Sequence, residues 1–245
     1  MRTTKTAIFY LLMLTLLGIS TNLSAVTITP NEDVMTSGFF FGPDFVRGYN
    51  GDNRSVLRVS NTNPFGTTAA ETVYLTFDAN DFASFTGPVT ANLSVESVSG
   101  GFGADAGPGN PFTVSAHAVN ADPLTSITDD TNPAGPISWN DFFDNNILAA
   151  DSAAISLVDA FEAITFDVSS IVNGWIEGSN SIFAIALTGK NETSDNDFLH
   201  GFLNNTENPG STFLTVTAVP IPAAIWMFAS VLIGMMGFKR ISLFS

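Results

Sequence analysis

The sequence predicts an all-β body, an antiparallel β-sandwich, flanked by an N-terminal signal helix and a C-terminal transmembrane helix. Three observations carry this. Apolar and polar residues alternate with a period of two over several short stretches. Those stretches are bounded by clusters of Gly, Pro, Asn and Asp. The long apolar runs of the 245-residue chain lie at its two ends rather than in its middle.

The N-terminal end has the layout of a secretory signal peptide. Arg2 and Lys5 precede the apolar run Ala7–Ile19, and polar Ser20-Thr21-Asn22 leads to small residues at Ser24-Ala25. Cleavage is expected after Ala25, which exports the chain. The body then spans Val26–Ala218, long enough for one sizeable core.

Within the body, Val89, Ala91, Leu93 and Val95 alternate with Thr90, Asn92, Ser94 and Glu96. Val73, Leu75 and Phe77 alternate with Thr72, Tyr74 and Thr76; Phe112, Val114, Ala116 and Ala118 with Thr113, Ser115 and His117; Ile164, Phe166 and Val168 with Thr165 and Asp167. Ser55–Ser60, Ser181–Thr188 and Thr212–Thr217 complete the expected strands. Half-buried strands separated by polar loops favour an antiparallel sandwich over a βαβ fold. One helix is expected where Ile171, Val172, Trp175 and Ile176 share a face and Gly178 ends the turn, with Trp175 plugging one end of the sandwich. Gly100–Gly109 and Asp122–Pro136 read as surface loops. The 22 Phe residues supply apolar area in a chain that has no cysteine for disulfides.

After the body, Val219-Pro220-Ile221-Pro222 breaks the last strand and presets a helix from Ala223. Ile221–Phe238 would form about 27 Å of helix at about 1.5 Å per residue. Lys239 and Arg240 can extend its reach to a full membrane span and favour a cytoplasmic C-terminus, with the body outside.

Charge narrows the function classes. Charged residues make up 13% of the chain, against about 25% in an ordinary soluble domain. All 23 acidic residues lie between Glu32 and Glu207, where Arg47, Arg54, Arg58 and Lys190 are the basic ones, so the body stands near −19. Such a surface repels phosphate backbones, which excludes nucleic acid as a partner.

Two resemblances sharpen the reading. Val219-Pro220-Ile221-Pro222-Ala223-Ala224-Ile225-Trp226, the apolar run with Gly234 and Gly237, and the Lys239-Arg240 pair resemble a VPLPA-type PEP-CTERM sorting signal. That resemblance implies 219–245 is recognised by an exosortase, a membrane transpeptidase-like enzyme, in an exopolysaccharide-producing Gram-negative bacterium. Ile221 stands where that motif usually has Leu, and Ile241–Ser245 extends past the basic pair.

The body resembles a DNRLRE-type domain in Asp33-Val34, Gly48–Val59, Thr72–Asp78, Val89–Val95, Ser138-Trp139-Asn140, Thr165–Trp175 and Asn180–Leu187. That family implies a jelly-roll β-sandwich related to carbohydrate-binding modules. Two departures are Thr76, where the family carries an arginine, and Gly201–Glu207, which replaces its usual last motif.

Catalytic constellations are weak. His117 and His200 are the two histidines, too few for a zinc site without cysteine, and no G-x-S-x-G elbow occurs. An Asp/Glu-dependent polysaccharide hydrolase would leave little signature, so an enzyme stays as the weaker alternative. Calcium has candidate ligands in Asp78, Asn80 and Asp81, in Asp129 and Asp130, and in Asp195 and Asp197, all hard oxygens in expected loops. Sugar binding pairs aromatic platforms with polar groups. Tyr49 in its Gly-Asn-Asp loop and Tyr74 on a polar strand face are the best candidates, then Trp139. The expected function is non-catalytic binding of exopolysaccharide at the cell envelope or in the extracellular matrix. The first alternative is a structural biofilm protein without a defined ligand.

Overall fold

A computed structural model describes residues 24–36, 46–47, 56–60, 71–99, 112–127, 139–157, 162–189 and 199–220. Ala25–Ala218 forms one compact unit, outside which the two chain ends fall. Its strands are β1 (Val26–Ile28), β2 (Glu32–Thr36), β3 (Val46–Arg47), β4 (Val56–Ser60), β5 (Thr72–Thr76), β6 (Val89–Ser99), β7 (Phe112–Val119), β8 (Ile147–Leu157), β9 (Ala163–Asp167), β10 (Ala184–Thr188), β11 (Leu199–Leu203) and β12 (Thr212–Ala218). The helices are α1 (Pro123–Ser126), α2 (Trp139–Asn146) and α3 (Ser169–Ile176), with a 3-10 turn at Ala79–Phe82.

The strands build two six-stranded sheets, antiparallel at every pairing. The first runs β1-β12-β6-β11-β4, with β9 also paired to β6. The second runs β3-β2-β5-β10-β7-β8. Leu93, Val95, Phe166, Leu214 and Val216 of the first meet Met35, Leu75, Val114, Ile185 and Leu187 of the second in one core. Each such side chain removed from water contributes about 1.5–3 kcal/mol. The all-β sandwich expected from the alternation is therefore the observed architecture.

The α3 end of the sandwich is closed by aromatic packing. Trp175 stands with its ring centroid 5.8 Å from Phe77, 5.2 Å from Phe82 and 5.4 Å from Phe183. Helix α3 is tied down by Asn173, whose Oδ1 accepts from the Val89 N–H at 2.8 Å while Nδ2 donates to the Val89 and Ser169 carbonyls. Gly178 takes φ 75° after the helix, a left-handed conformation that glycine adopts without strain. This is the helix, the stop and the Trp175 plug read from the sequence.

Several elements depart from that reading. The segment from Asp122 to Pro136 opens with α1 rather than a loop; Asp122 Oδ1 caps it by accepting from Leu124 N–H at 2.9 Å. Trp139–Asn146 is helical, and β8 follows it directly. β8 escapes the period-two reading because its register against β7 shifts between His117 and Ala118, which throws the Ala-rich strand out of phase. β11 escapes it because Gly201 interrupts the apolar pattern, although Gly201 is paired on both sides, with Arg58 and with Val98. β1 and β2 were not expected either. Gly100–Gly109 lies outside the described residues.

Among the described residues, no helix is long and apolar enough to cross a membrane. The segment expected to do so, Ile221–Phe238, lies outside them.

Candidate functional site

The two sheets treat their outer faces differently. On the first sheet β9 alternates exposed and buried, and β12 follows buried with half-buried residues. The register lays the outward residues in rows across the strands. Thr27, Thr215, Asn92 and Asp167 form one row; Phe213, Ser94 and Thr165 a second; Thr217 and Thr90 a third. All are exposed or half-exposed. Rows in a sheet repeat at about 4.8 Å between strands and about 6.8 Å along them. The result is an open face of short hydroxyl and amide groups around one half-exposed aromatic ring, Phe213. Among the described residues its exposed charges include the carboxylates Asp167 and Glu96.

Asp167 has a second task. Its Oδ1 accepts from the Ser169 hydroxyl at 2.6 Å and the Ser169 N–H at 3.0 Å, which starts α3. Those two bonds favour the ionised form and hold the carboxyl below its ordinary range. Ser94 and Thr165 hydroxyls stand 3.5 Å apart across the face.

Beside α3 lies an open cleft of about 200 Å³, rimmed by Ser170, Asn173, Glu177, Ser179 and Asn180 over Ala118, Leu148 and Ile171. Its two amides are largely used by the scaffold: Asn173 by Val89, and Asn180 by the Val119 carbonyl and the Ile182 N–H.

The outer face of the second sheet is covered. Val34, Tyr74, Ala184 and Ala186 pack there with Val119, Ile127 and Phe142 in a second apolar cluster under α1 and α2. Tyr74, expected on a solvent-facing polar surface as a sugar platform, is 0% exposed and meets Phe142 edge-on at 5.5 Å. That expectation is corrected: α2, unforeseen in the sequence, covers the strand face that alternation had assigned to water. Burial pushes the Tyr74 phenol far above its ordinary range, and the nearby Thr36 hydroxyl offsets this only in part. The Tyr74 hydroxyl has no hydrogen bond of ordinary geometry. Further along the same face, Thr36, Thr72, Thr188 and Ser115 form a buried in-register row, with Thr72 Oγ1 donating to Thr188 Oγ1 at 3.3 Å.

The remaining expected residues distribute as follows. Trp139 begins α2. Tyr49, Asp129, Asp130, Asp195 and Asp197 lie outside the described residues, as do Ile221, Pro222, Ala223, Ala224, Trp226, Lys239 and Arg240 of the sorting motif. Val219 and Pro220 follow β12 and are exposed. Asp78 caps the 3-10 turn, accepting from the N–H and the side-chain amide of Asn80, both at 2.8 Å, while Asn80 and Asp81 are exposed. Among the described residues, no group of three or more His, Asp or Glu side chains is placed to hold a metal ion.

Sequence reading missed two buried polar pairs. Arg58 donates from Nη2 to Glu71 Oε1 at 2.9 Å, with 9% and 2% of the side chains exposed. His200, fully buried beside Phe202, hydrogen-bonds the Ser97 hydroxyl through Nε2. Strand register brings His200 to Ser97. Arg58 meets Glu71 because Ser60 donates its N–H to the Glu71 carbonyl and accepts the Glu71 N–H on its hydroxyl, holding the start of β5 beside β4 of the other sheet. Asp33 is a third buried group: its carboxylate accepts from Asn205 N–H at 2.5 Å and Thr206 Oγ1 at 2.9 Å, pinning the segment between β11 and β12.

No protein-family model matches the chain, and no curated protein is significantly similar to it.

Proposed function

We propose that this is an exported protein of the cell envelope or extracellular matrix that binds a hydroxyl-rich exopolysaccharide without catalysis, on the open face of the first sheet. The observation that carries this is the contrast between the outer faces: one is sealed by α1 and α2, while the other presents Thr27, Thr90, Asn92, Thr165, Thr215 and Thr217 to water. Short hydroxyls and amides lose little side-chain entropy on binding and match the alternating donors and acceptors of sugar hydroxyls. Asp167 and Glu96 on the face, within a body near −19, favour neutral chains over acidic ones. Acidic chains would require a bridging cation such as Ca²⁺.

The signal-peptide pattern, the apolar C-terminal run with its basic pair and the resemblance to a PEP-CTERM signal support sorting by an exosortase, with the C-terminal helix as transmembrane anchor until it is processed. The resemblance to DNRLRE-type domains supports a jelly-roll ancestry for the sandwich. A second reading, a structural matrix protein without a saturable ligand, is favoured by one observation: Tyr74 and Trp175, both able to serve as sugar platforms, are spent on the interior.

The deciding experiment titrates the full chain in detergent with neutral and acidic bacterial exopolysaccharides, with and without Ca²⁺, by calorimetry. Saturable heat with a neutral glycan, lost in Thr215→Arg and in Asn92→Arg while the melting temperature holds, is the expected result. Absence of heat with every glycan sinks the binding reading and leaves the structural one.

A further inference from the structure

The strand that leads out of the body is held on both sides. β12 pairs with β6 from Thr212 opposite Val95 to Ala218 opposite Val89, seven in-register positions. On its other edge it pairs with β1, Val26 opposite Val216, Thr27 opposite Thr215 and Ile28 opposite Leu214, three positions. Its inward residues Leu214 and Val216 are buried in the main core. Val26 and Ala218 therefore lie at the same end of the sheet, because β1 and β12 run antiparallel.

We propose that β12 is the stem that transmits force between the body and its tether, with β1 as its clasp. This rests on the reading that residues beyond Ala218 tether the body, since any pull on a bound polymer then reaches the anchor through Ala218. A force along β12 acts parallel to its neighbours, so its ladder hydrogen bonds, which lie perpendicular to the strands, are loaded together rather than one after another. An edge strand peels from one partner; β12 must slide past two. Resistance to forced unfolding is set by the unfolding barrier rather than by equilibrium stability, so β1 can matter greatly under load while contributing little at rest. The three-residue β1, with Ile28 as its one buried side chain, suits that role.

The native chain has no cysteine, which makes handle placement clean. Full chain in detergent micelles, pulled between Thr113→Cys and Ser245→Cys in a single-molecule force experiment, loads β12. Pulling between Thr113→Cys and Glu177→Cys does not. Val26→Pro, which removes an N–H that the register turns toward the Val216 carbonyl of β12, is expected to lower the rupture force in the first geometry by on the order of a third, the share of β12's in-register pairs that β1 supplies. It should leave the second geometry unchanged. The Val26→Cys/Val216→Cys disulfide, allowed by the Cα separation of a directly paired position, is expected to raise the rupture force in the first geometry alone, and it carries the test if the proline variant does not fold. Equal rupture forces in all forms, or low-force peeling of β12 in the unmodified chain, overturn the proposal. Release of the full chain from membranes by alkaline wash would remove the anchor reading but leave these forces as they are.

Discussion

The outer faces of the two sheets start from similar alternating sequence and end differently. On β9 the outward residues Ala163, Thr165 and Asp167 are exposed, whereas on β5 the outward Thr72 and Tyr74 are completely buried. The strands themselves do not decide this; the neighbours do. α1 and α2 bring Ile127 and Phe142 down onto the second sheet, and nothing equivalent in the described residues lies over β6, β9 and β12. Alternation reports which residues share a face, while the fate of that face belongs to whatever packs against it. β10 carries the clearest warning: Ala184–Thr188 is buried at every position, and its nearly continuous apolar run already reads as a strand covered on both sides.

Substitutions break or sharpen the comparison in a graded order. The largest loss is expected for Phe142→Ala and Trp175→Ala, at about 3–5 kcal/mol each, seen as a fall in melting temperature. If Phe142→Ala costs as much as the main-core change, the covered face is a true second core. Arg58→Ala removes the ion-pair partner at Glu71 Oε1 in a buried setting, with an expected cost of about 3–5 kcal/mol; denaturant unfolding measures it, and replacing both residues by apolar ones should restore most of the loss. Asp33→Ala frees the 204–211 segment for about 1–3 kcal/mol, visible as new protease cleavage there before global unfolding.

Tyr74→Phe should change stability by less than about 1 kcal/mol in either direction, because the hydroxyl it removes has no hydrogen bond of ordinary geometry. A large loss would show a partner for that hydroxyl. On the open face the smallest effect is a pH effect. The Asp167 carboxyl is held below its ordinary range by Ser169, so its stabilisation is present above the unfolded-state pKa, near 3.9, and is lost as pH falls through the lower folded value. Asp167→Asn should lower the melting temperature slightly at neutral pH, with the difference from the parent shrinking as pH falls below about 4.

Much of the fold was legible. β4, β5, β6, β7, β9, β10, β12 and α3 stand where alternation and turn residues put them, within a few residues, because each has one strongly apolar face and clear breakers. β8 was hidden by its bulge and β11 by Gly201, features whose logic lies in a partner strand rather than in local sequence. The site was less legible. The open face is built of Thr, Ser and Asn, which look the same in a covered strand as in a bare one; Tyr74 was misplaced for that reason. The Ser97–His200 pair depends on strand register and the Arg58–Glu71 pair on a contact between β4 and the start of β5 in the other sheet, which no spacing along the chain encodes.

The segment 204–211 can be read as an interpolation in the chain's own text. β11 pairs with the far part of β6, ending at Phe202 opposite Ser97, and β12 resumes at Thr212 opposite Val95. Glu96 donates its N–H to the Ser211 carbonyl, and the Ser211 and Thr212 hydroxyls both donate to the Leu203 carbonyl, so the two ends of the segment meet beside β6. The body thus contains a place where sequence can be added or removed without renumbering its ladder. A shorter connection there, or a longer one held by the same Asp33 carboxylate, would keep the same sandwich.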